Sequence, residues 1–172
     1  MYKIAILGPE STGKSELAKA LATYYKGQWV PEYAREYVEK LSRKYNFDDV
    51  CHIAATQLNE IDFFGNKSDS DFVFFDTELI ITKIWFEYCF GKVPQFLTKA
   101  MEKPAFDFYL LCDYDLEWIP DPVREHGDDR AYFFNLYKAE IEKTQRPYAV
   151  ISGSGDKRVQ NAIQAIEKFL KG

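Results

Sequence analysis

One segment limits the fold of this chain more than any other: residues 8–15 have the sequence GPESTGKS. They match the pattern GxxxxGK[ST] without a mismatch, and this pattern forms a phosphate-binding loop only between a buried strand and a helix. The flanking residues favour both elements, because residues 2–7 form a short apolar run and apolar side chains recur at helical spacing after Lys14. The context therefore predicts a phosphate loop.

Such a loop predicts a site for ATP and Mg²⁺. Glycines let backbone N–H groups approach phosphates, and the N-terminus of the following helix adds positive potential. Lys14 is expected to reach the β- and γ-phosphate oxygens, and Ser15 to offer its hydroxyl to Mg²⁺. The nucleotide-binding residues are predicted to be Gly8, Pro9, Glu10, Ser11, Thr12, Gly13, Lys14 and Ser15. The motif ends there, so position 16 (Glu16) has no assigned role. The alternative is a glycine-rich turn with an exposed lysine.

Strand-like and helix-like segments alternate along the rest of the chain, which favours a parallel sheet with crossover helices. Strands are predicted over residues 2–7, 28–30, 72–75, 106–111 and 148–151. Helices are predicted over residues 14–24, 32–44, 48–65, 79–90 and 156–170. The expected fold is one three-layer α/β domain over residues 1–172, with helices on both faces of a five-stranded parallel sheet. Ligands of such sheets bind at the carboxyl ends of the strands.

Two carboxylates follow predicted strands at that edge. Asp76 ends the most apolar strand and is predicted to hold Mg²⁺ together with Ser15, unless it only caps the helix that follows. Glu32 follows the second strand, where it can orient a substrate hydroxyl and accept its proton. Arg35 lies one turn later and is predicted to hold an anionic group. The alternative for Glu32 and Arg35 is an ordinary surface pair.

A lid is predicted over residues 118–130, which have the sequence WIPDPVREHGDDR and follow the fourth strand. Two prolines and a glycine keep this segment irregular, and Arg124 and Arg130 are spaced to close over phosphates. They are therefore predicted to stabilise the phosphoryl group during transfer, while the segment excludes water. The alternative is a solvated loop with balanced charges.

The composition argues against other classes of protein. With 22 Lys and Arg against 27 Asp and Glu, the net charge of −5 disfavours a nucleic-acid-binding surface. The three cysteines have neither zinc-ligand nor disulfide-framework spacing, as expected in a reducing compartment. No apolar run approaches bilayer length, and no targeting segment is recognisable before Tyr2. We expect a cytoplasmic protein whose partner is a small molecule, and the sequence leaves its oligomeric state open.

The ordered set of GPESTGKS, PEYAREY, FFDTE followed by ITKIWFE, and the segment 118–130 resembles the ribosylnicotinamide kinase domain of NadR-type NAD-salvage proteins. The resemblance covers nearly the whole chain. It implies a P-loop kinase fold with a lid, and transfer of the γ-phosphate of ATP to the ribose 5′-hydroxyl of nicotinamide riboside, which gives nicotinamide mononucleotide. It also implies that Asp76 and Glu32 serve the metal and the sugar, and that Arg124 and Arg130 serve the lid.

The resemblance further implies that aromatic side chains stack on the nicotinamide ring. Pro31 stands where the family has an aromatic residue before the glutamate, and Trp29 lies two residues earlier. The predicted substrate contacts are Glu32, Tyr33, Arg35 and Trp118. Other aromatic candidates are Phe63 and Trp85.

Three other functions remain open on the residues alone. One is a kinase for another nucleoside or for a nucleotide. Another is a regulatory ATPase of the AAA type, which works as a ring and needs an arginine finger in trans and usually a helical second domain. The third is a nucleotide-binding module without catalysis, which the paired carboxylates Glu32 and Asp76 disfavour.

Overall fold

The computed structural model describes residues 1–67, 69–121 and 127–172, with the side chains of residues 66 and 67 left out. The elements in chain order are β1 (Tyr2–Leu7), α1 (Lys14–Tyr25), β2 (Gln28–Val30), α2 (Tyr33–Glu39), α3 (Phe47–Lys67), β3 (Phe72–Asp76), α4 (Leu79–Phe90), α5 (Gln95–Ala100), β4 (Phe108–Cys112), α6 (Arg130–Lys143), β5 (Tyr148–Ile151) and α7 (Gly155–Lys171).

The sheet has five parallel strands in the order β2-β3-β1-β4-β5. The predicted number and direction of the strands are therefore confirmed. Because all strands are parallel, their carboxyl ends meet at one edge, where the phosphate loop follows the central strand β1. Asp76 lies beside that strand, since it is paired with Ile6 in the β1–β3 register.

The side chains of β1 show how the sheet divides the core into two. Ala5 and Leu7 point into one cluster, which also contains residues of α3, α4 and α6. Ile4 and Ile6 point into the other cluster, which contains residues of α1 and α7. This alternation is the period of two that a strand buried on both faces requires, and it confirms the three-layer architecture.

The helix predicted over residues 32–44 ends five residues early, at Glu39. The chain after it caps the next helix instead: the backbone N–H of Asn46 donates to Asp49 Oδ2 at 2.7 Å, and the N–H of Asp49 donates to Asn46 Oδ1 at 3.0 Å. Arg43 adds two hydrogen bonds to the same carboxylate, at 2.6 and 3.0 Å. These bonds lower the pKa of Asp49.

Two helices, α5 and α6, were not predicted from the sequence. The second of them matters for the site, because it begins at Arg130, inside the segment predicted as a lid. Among the described residues, none of the helices combines the length and apolar character that crossing a bilayer requires.

Candidate active site

The phosphate loop is shaped by its own residues. A Cβ at Gly8 would lie 2.8 Å from the carbonyl oxygen of Cys112, so only glycine fits between β1 and β4 there. Gly8 and Gly13 have φ angles of 152° and 71°, which glycine adopts readily. The Pro9 carbonyl accepts hydrogen bonds from the Thr12 hydroxyl at 2.8 Å and from Lys14 Nζ at 2.9 Å. The loop is therefore held in a tight turn with its lysine folded over it.

Asp76 lies behind this loop and fits a site for Mg²⁺. It is only 3% exposed, and burial raises the pKa of its carboxyl group, partly opposed by a hydrogen bond from Ser15 and by the charge of Lys14. Among the described residues, its Oδ1 atom has no hydrogen-bond partner. A buried carboxylate oxygen without a partner, next to a serine hydroxyl, suits a divalent cation that takes its other ligands from phosphates and water.

The role of helix cap, the alternative for Asp76, belongs to Glu78. Its side chain accepts a hydrogen bond from the backbone N–H of Ile80 at 3.0 Å at the start of α4. Burial raises the pKa of Glu78 to about 8. Between the two carboxylates, Thr77 has a φ of 72°, which is strained for a β-branched residue and turns the chain sharply after β3. That turn lets Asp76 face the loop while Glu78 caps the helix.

A single cavity extends from the phosphate loop to an aromatic wall. It is lined by residues 8–16, Glu32, Ala34, Arg35, Val38, Tyr45, Thr77, Ile81, Trp85, Tyr88, Phe133 and Tyr137. Tyr45 packs edge-on against Trp85, with ring centroids 4.7 Å apart, and Tyr88 packs against Phe133 at 5.1 Å. Glu32 lies on the same lining. The cavity can therefore take phosphates at one end and a flat ring at the other.

Sequence reasoning missed most of this wall, although a signal was present. Ile81, Trp85 and Tyr88 are spaced by four and three residues, as one face of a helix requires. Phe133 and Tyr137 show the same spacing on α6. Only knowledge that α4 and α6 pack against each other would have shown that these two faces meet.

Arg35 lines the cavity, and the anion-binding role predicted for it stays a prediction. Its guanidinium bonds to the carboxylate of Asp121 and, at 3.0 Å, to that of Glu39. The hydrogen bond to Asp121 raises the pKa of Arg35. Because two carboxylates already compensate its charge, Arg35 acts as a link between α2 and the segment 118–121.

Among the aromatic candidates, the described residues place only Trp85 on the cavity. Tyr33 lies outside the lining, and its hydroxyl bonds to His52 Nε2 on α3 at 2.9 Å, so its role as a substrate contact stays a prediction. Phe63 is 52% exposed and also lies outside the lining. Trp29 packs in the cluster on the other face of the sheet, under Lys19.

The first residues of the predicted lid lie against the phosphate loop. Trp118 Nε1 donates to Glu10 Oε2 at 3.3 Å, and the Ser11 hydroxyl accepts from the backbone N–H of Ile119 at 3.1 Å. Trp118 therefore lies against the phosphate loop and outside the lining of the cavity. Its contact with the substrate stays a prediction.

The two lid arginines have different outcomes. Arg130 is the first residue of α6, and its guanidinium donates to the carbonyl oxygen of Leu116 at 2.7 Å. In this conformation it fixes the base of the segment, and its predicted role at the phosphoryl group stays a prediction. Arg124 lies outside the described residues, and its role stays a prediction.

Comparison with known proteins gives three results. A family model described as an AAA domain matches residues 3–158. The trifunctional NAD biosynthesis/regulator protein NadR of Salmonella typhimurium is 30% identical over 97% of this chain, which spans only 42% of that relative. A crystal structure of a NadR protein in complex with NR is similar over 99% of this chain and 52% of the other, with a TM-score of 0.83 and 22% identity.

The same architecture occurs in a shorter protein. A deoxyadenosine kinase from M. mycoides, solved with products bound, is similar over 96% of this chain and 99% of its own, with a TM-score of 0.65 and 14% identity. At such identities the likeness to both structures shows a shared fold. It confirms the predicted P-loop kinase architecture, in which the phosphate loop follows the central strand.

Proposed function

This chain belongs to the AAA domain family, and we propose that within it the chain is a kinase that transfers the γ-phosphoryl group of ATP to the 5′-hydroxyl of nicotinamide riboside. The products would be nicotinamide mononucleotide and ADP, as in cytoplasmic NAD salvage. The observation that carries the proposal is the cavity itself, in which the phosphate loop, Glu32 and the aromatic wall line one continuous space. A protein that only hydrolyses ATP has no need for an aromatic wall in the same cavity as its phosphate loop.

The aromatic wall suits the proposed acceptor. Nicotinamide riboside carries a positive charge on a flat ring, and such a ring gains roughly 0.5–2 kcal/mol from each good cation–π contact. Trp85 and Tyr45 both line the cavity, and Glu32 adds a negative charge on the same lining. The similar NadR structure, which was solved with NR, supports the same acceptor.

The phosphoryl donor is held by the loop. Its N–H groups and Lys14 would bind the β- and γ-phosphates, and Lys14 would leave the Pro9 carbonyl to follow the charge that develops during transfer. Ser15 and Asp76 would hold Mg²⁺, which would supply positive charge to the phosphates. Asp76 is suited to this position because it is buried beside the serine hydroxyl.

Glu32 would act on the acceptor. It lies at the start of α2 and lines the same cavity as the loop and the aromatic wall. There it would orient the 5′-hydroxyl towards the γ-phosphate and take up its proton. Because phosphoryl transfer passes through a loose transition state, orientation is the larger part of this contribution.

A panel of acceptors tests the proposal. ADP release is measured with ATP, Mg²⁺ and, in turn, nicotinamide riboside, adenosine, deoxyadenosine, cytidine and no acceptor. We expect the highest kcat/KM with nicotinamide riboside and only slow ADP release without acceptor. If another nucleoside is turned over at a saturating rate and nicotinamide riboside is not, the proposed substrate is wrong, but the assignment as a kinase stands.

An acceptor-independent ATPase is the second candidate, because the matching family is described as an AAA domain. Such an ATPase would form a ring and use an arginine from a neighbouring subunit. Arg130 is instead bonded to the Leu116 carbonyl of its own chain. Gel filtration with ATP separates the two: an ATP-dependent ring, together with equal ADP release with and without acceptor, would establish the ATPase.

A further inference from the structure

A buried arginine lies behind the phosphate loop and outside the cavity. Arg158 is in the first turn of α7 and is only 3% exposed. It is not among the residues that line the cavity, and it lies outside the motifs quoted above, which end at residue 130. A guanidinium buried to this extent is stable only if its N–H groups and its charge are satisfied.

The contacts of Arg158 reach three loops that follow adjacent strands. The groups that accept its hydrogen bonds are the carbonyls of Gly153 at 2.7 Å, Thr12 at 3.0 Å, Ile151 at 3.2 Å and Asp113 at 3.3 Å, and the carboxylate of Asp115. Thr12 belongs to the loop after β1, the two aspartates follow β4, and Gly153 follows β5. One side chain therefore joins the carboxyl ends of β1, β4 and β5, which are neighbours in the sheet.

The bond to the Thr12 carbonyl matters most for phosphate binding. A loop that turns its N–H groups towards an anion must turn its carbonyl groups away, and buried carbonyls need donors. Ser11 and Gly13, on either side of Thr12, have φ angles of 56° and 71°. Ser11 pays a conformational cost for this, so the geometry has to be fixed by contacts from outside the loop. Arg158 supplies such a contact.

Asp115 completes the connection to the loop after β5. Its Oδ2 atom accepts a hydrogen bond from the backbone N–H of Gly153 at 2.6 Å, while its other oxygen pairs with Arg158. The guanidinium is thus fixed in its plane, and its charge is compensated. The result is a bridge of fixed length between the phosphate loop and residues 152–155.

We propose that Arg158 is a positioning residue of the ATP site: it sets the shape of the phosphate loop through the Thr12 carbonyl and its spacing from residues 152–155 through Gly153 and Asp115. It touches neither the phosphates nor the acceptor. This inference rests on the proposed binding of ATP but not on the identity of the acceptor. It predicts that loss of the guanidinium weakens ATP binding and leaves the acceptor side unchanged.

The test compares Arg158→Lys and Arg158→Gln with Lys168→Gln, which changes an exposed lysine on the same helix. The dissociation constant of ATP with Mg²⁺ is measured by calorimetric titration, alongside Tm and the KM of both substrates. We expect ATP to bind about tenfold or more weakly to both Arg158 variants, because charged hydrogen bonds are lost. The KM of the acceptor should stay within about twofold, and Lys168→Gln should match the wild type.

A merely structural role predicts a different pattern. It would lower Tm and the active fraction, while ATP would bind to the folded Arg158→Lys protein within about twofold of the wild-type constant, and this result would overturn the proposal. If neither arginine variant folds, Asp115→Asn decides. Asp115 is one-third exposed, so that variant should fold and bind ATP about threefold more weakly, and unchanged binding would refute the inference. If the protein binds ATP without phosphorylating nicotinamide riboside, only the proposed function fails.

Discussion

The two ends of the cavity are built in different ways. The phosphate end comes from one stretch of chain, residues 8–16, whose internal hydrogen bonds and glycines form the loop. The acceptor end is assembled from α2, Tyr45, α4 and α6, which are far apart in the sequence. The first end therefore has a sequence motif and the second has none. Substitutions at the aromatic wall can change the acceptor without disturbing the binding of ATP.

The largest expected effect lies at the phosphate end. Lys14→Ala should lower kcat by about 10²–10³-fold or more, because the charge that stabilises the transferring phosphoryl group is lost. The fold should be unchanged, since the hydrogen bond from Lys14 to the Pro9 carbonyl stays within its own loop. Steady-state kinetics with circular dichroism as a control provide the measurement. Wild-type turnover would show that the loop is not the donor site.

Asp76→Asn should mainly change the requirement for Mg²⁺. A neutral amide keeps the size of the side chain but binds a cation less well, so half-maximal activity should need about 10–100-fold more Mg²⁺. Activity is titrated against Mg²⁺ at saturating ATP and acceptor. If Glu32→Gln raised the required Mg²⁺ concentration more than Asp76→Asn did, the roles assigned to the two carboxylates would have to be exchanged.

Glu32→Gln should affect the acceptor and the transfer step but not the metal. We expect kcat to fall by about tenfold or more and the KM of the acceptor to rise. The substrate hydroxyl would lose the carboxylate that takes up its proton and the contact that orients it. The Mg²⁺ dependence should not move. The same Mg²⁺ titration, performed on this variant, checks the result, and a shifted Mg²⁺ optimum would contradict it.

Trp85→Ala should affect only the acceptor end. Removal of one ring from the wall should raise the KM for nicotinamide riboside by roughly 2–30-fold, the range that corresponds to one cation–π contact. The KM for ATP should not change. Phe96→Ala is the matched control, since it removes an aromatic ring that is 40% exposed on α5 and outside the cavity. Equal effects of the two variants would remove Trp85 from the binding of the base.

The difference between the two ends also explains what the sequence could predict. The phosphate loop, the five strands and the position of Asp76 beside β1 were predicted, because each depends on local pattern and on the rule that parallel strands end at one edge. The contacts of Arg35 and Tyr33 with Asp121 and His52 were not predicted, because these partners are distant in the sequence. Arg130, the first residue of α6, was assigned to the lid, because the apolar positions of the helix follow directly after an irregular, charged segment.

The smallest expected effect concerns the link between the two ends. Arg35 lies on α2, which lines the acceptor side, and its bond to Asp121 reaches the segment that lies over Ser11 and Glu10 of the phosphate loop. Because its side chain is 36% exposed, the ion pair should contribute only about 0.2–1 kcal/mol to stability. Its loss should nevertheless loosen both ends at once.

We therefore expect Arg35→Gln to raise the KM of ATP and the KM of the acceptor together, each by about two- to fivefold, in line with the small energy of an exposed pair. Lys40→Gln is the matched control. Lys40 follows the last residue of α2 and pairs with Glu36 of that helix, whereas Arg35 pairs with Asp121 of the segment 118–121. Initial rates over a grid of both substrates give the two constants. A rise in the acceptor KM alone would mean that Arg35 belongs to the acceptor end and that the two ends close independently. A joint rise would show that the contact between Arg35 and Asp121 couples the two ends of the cavity.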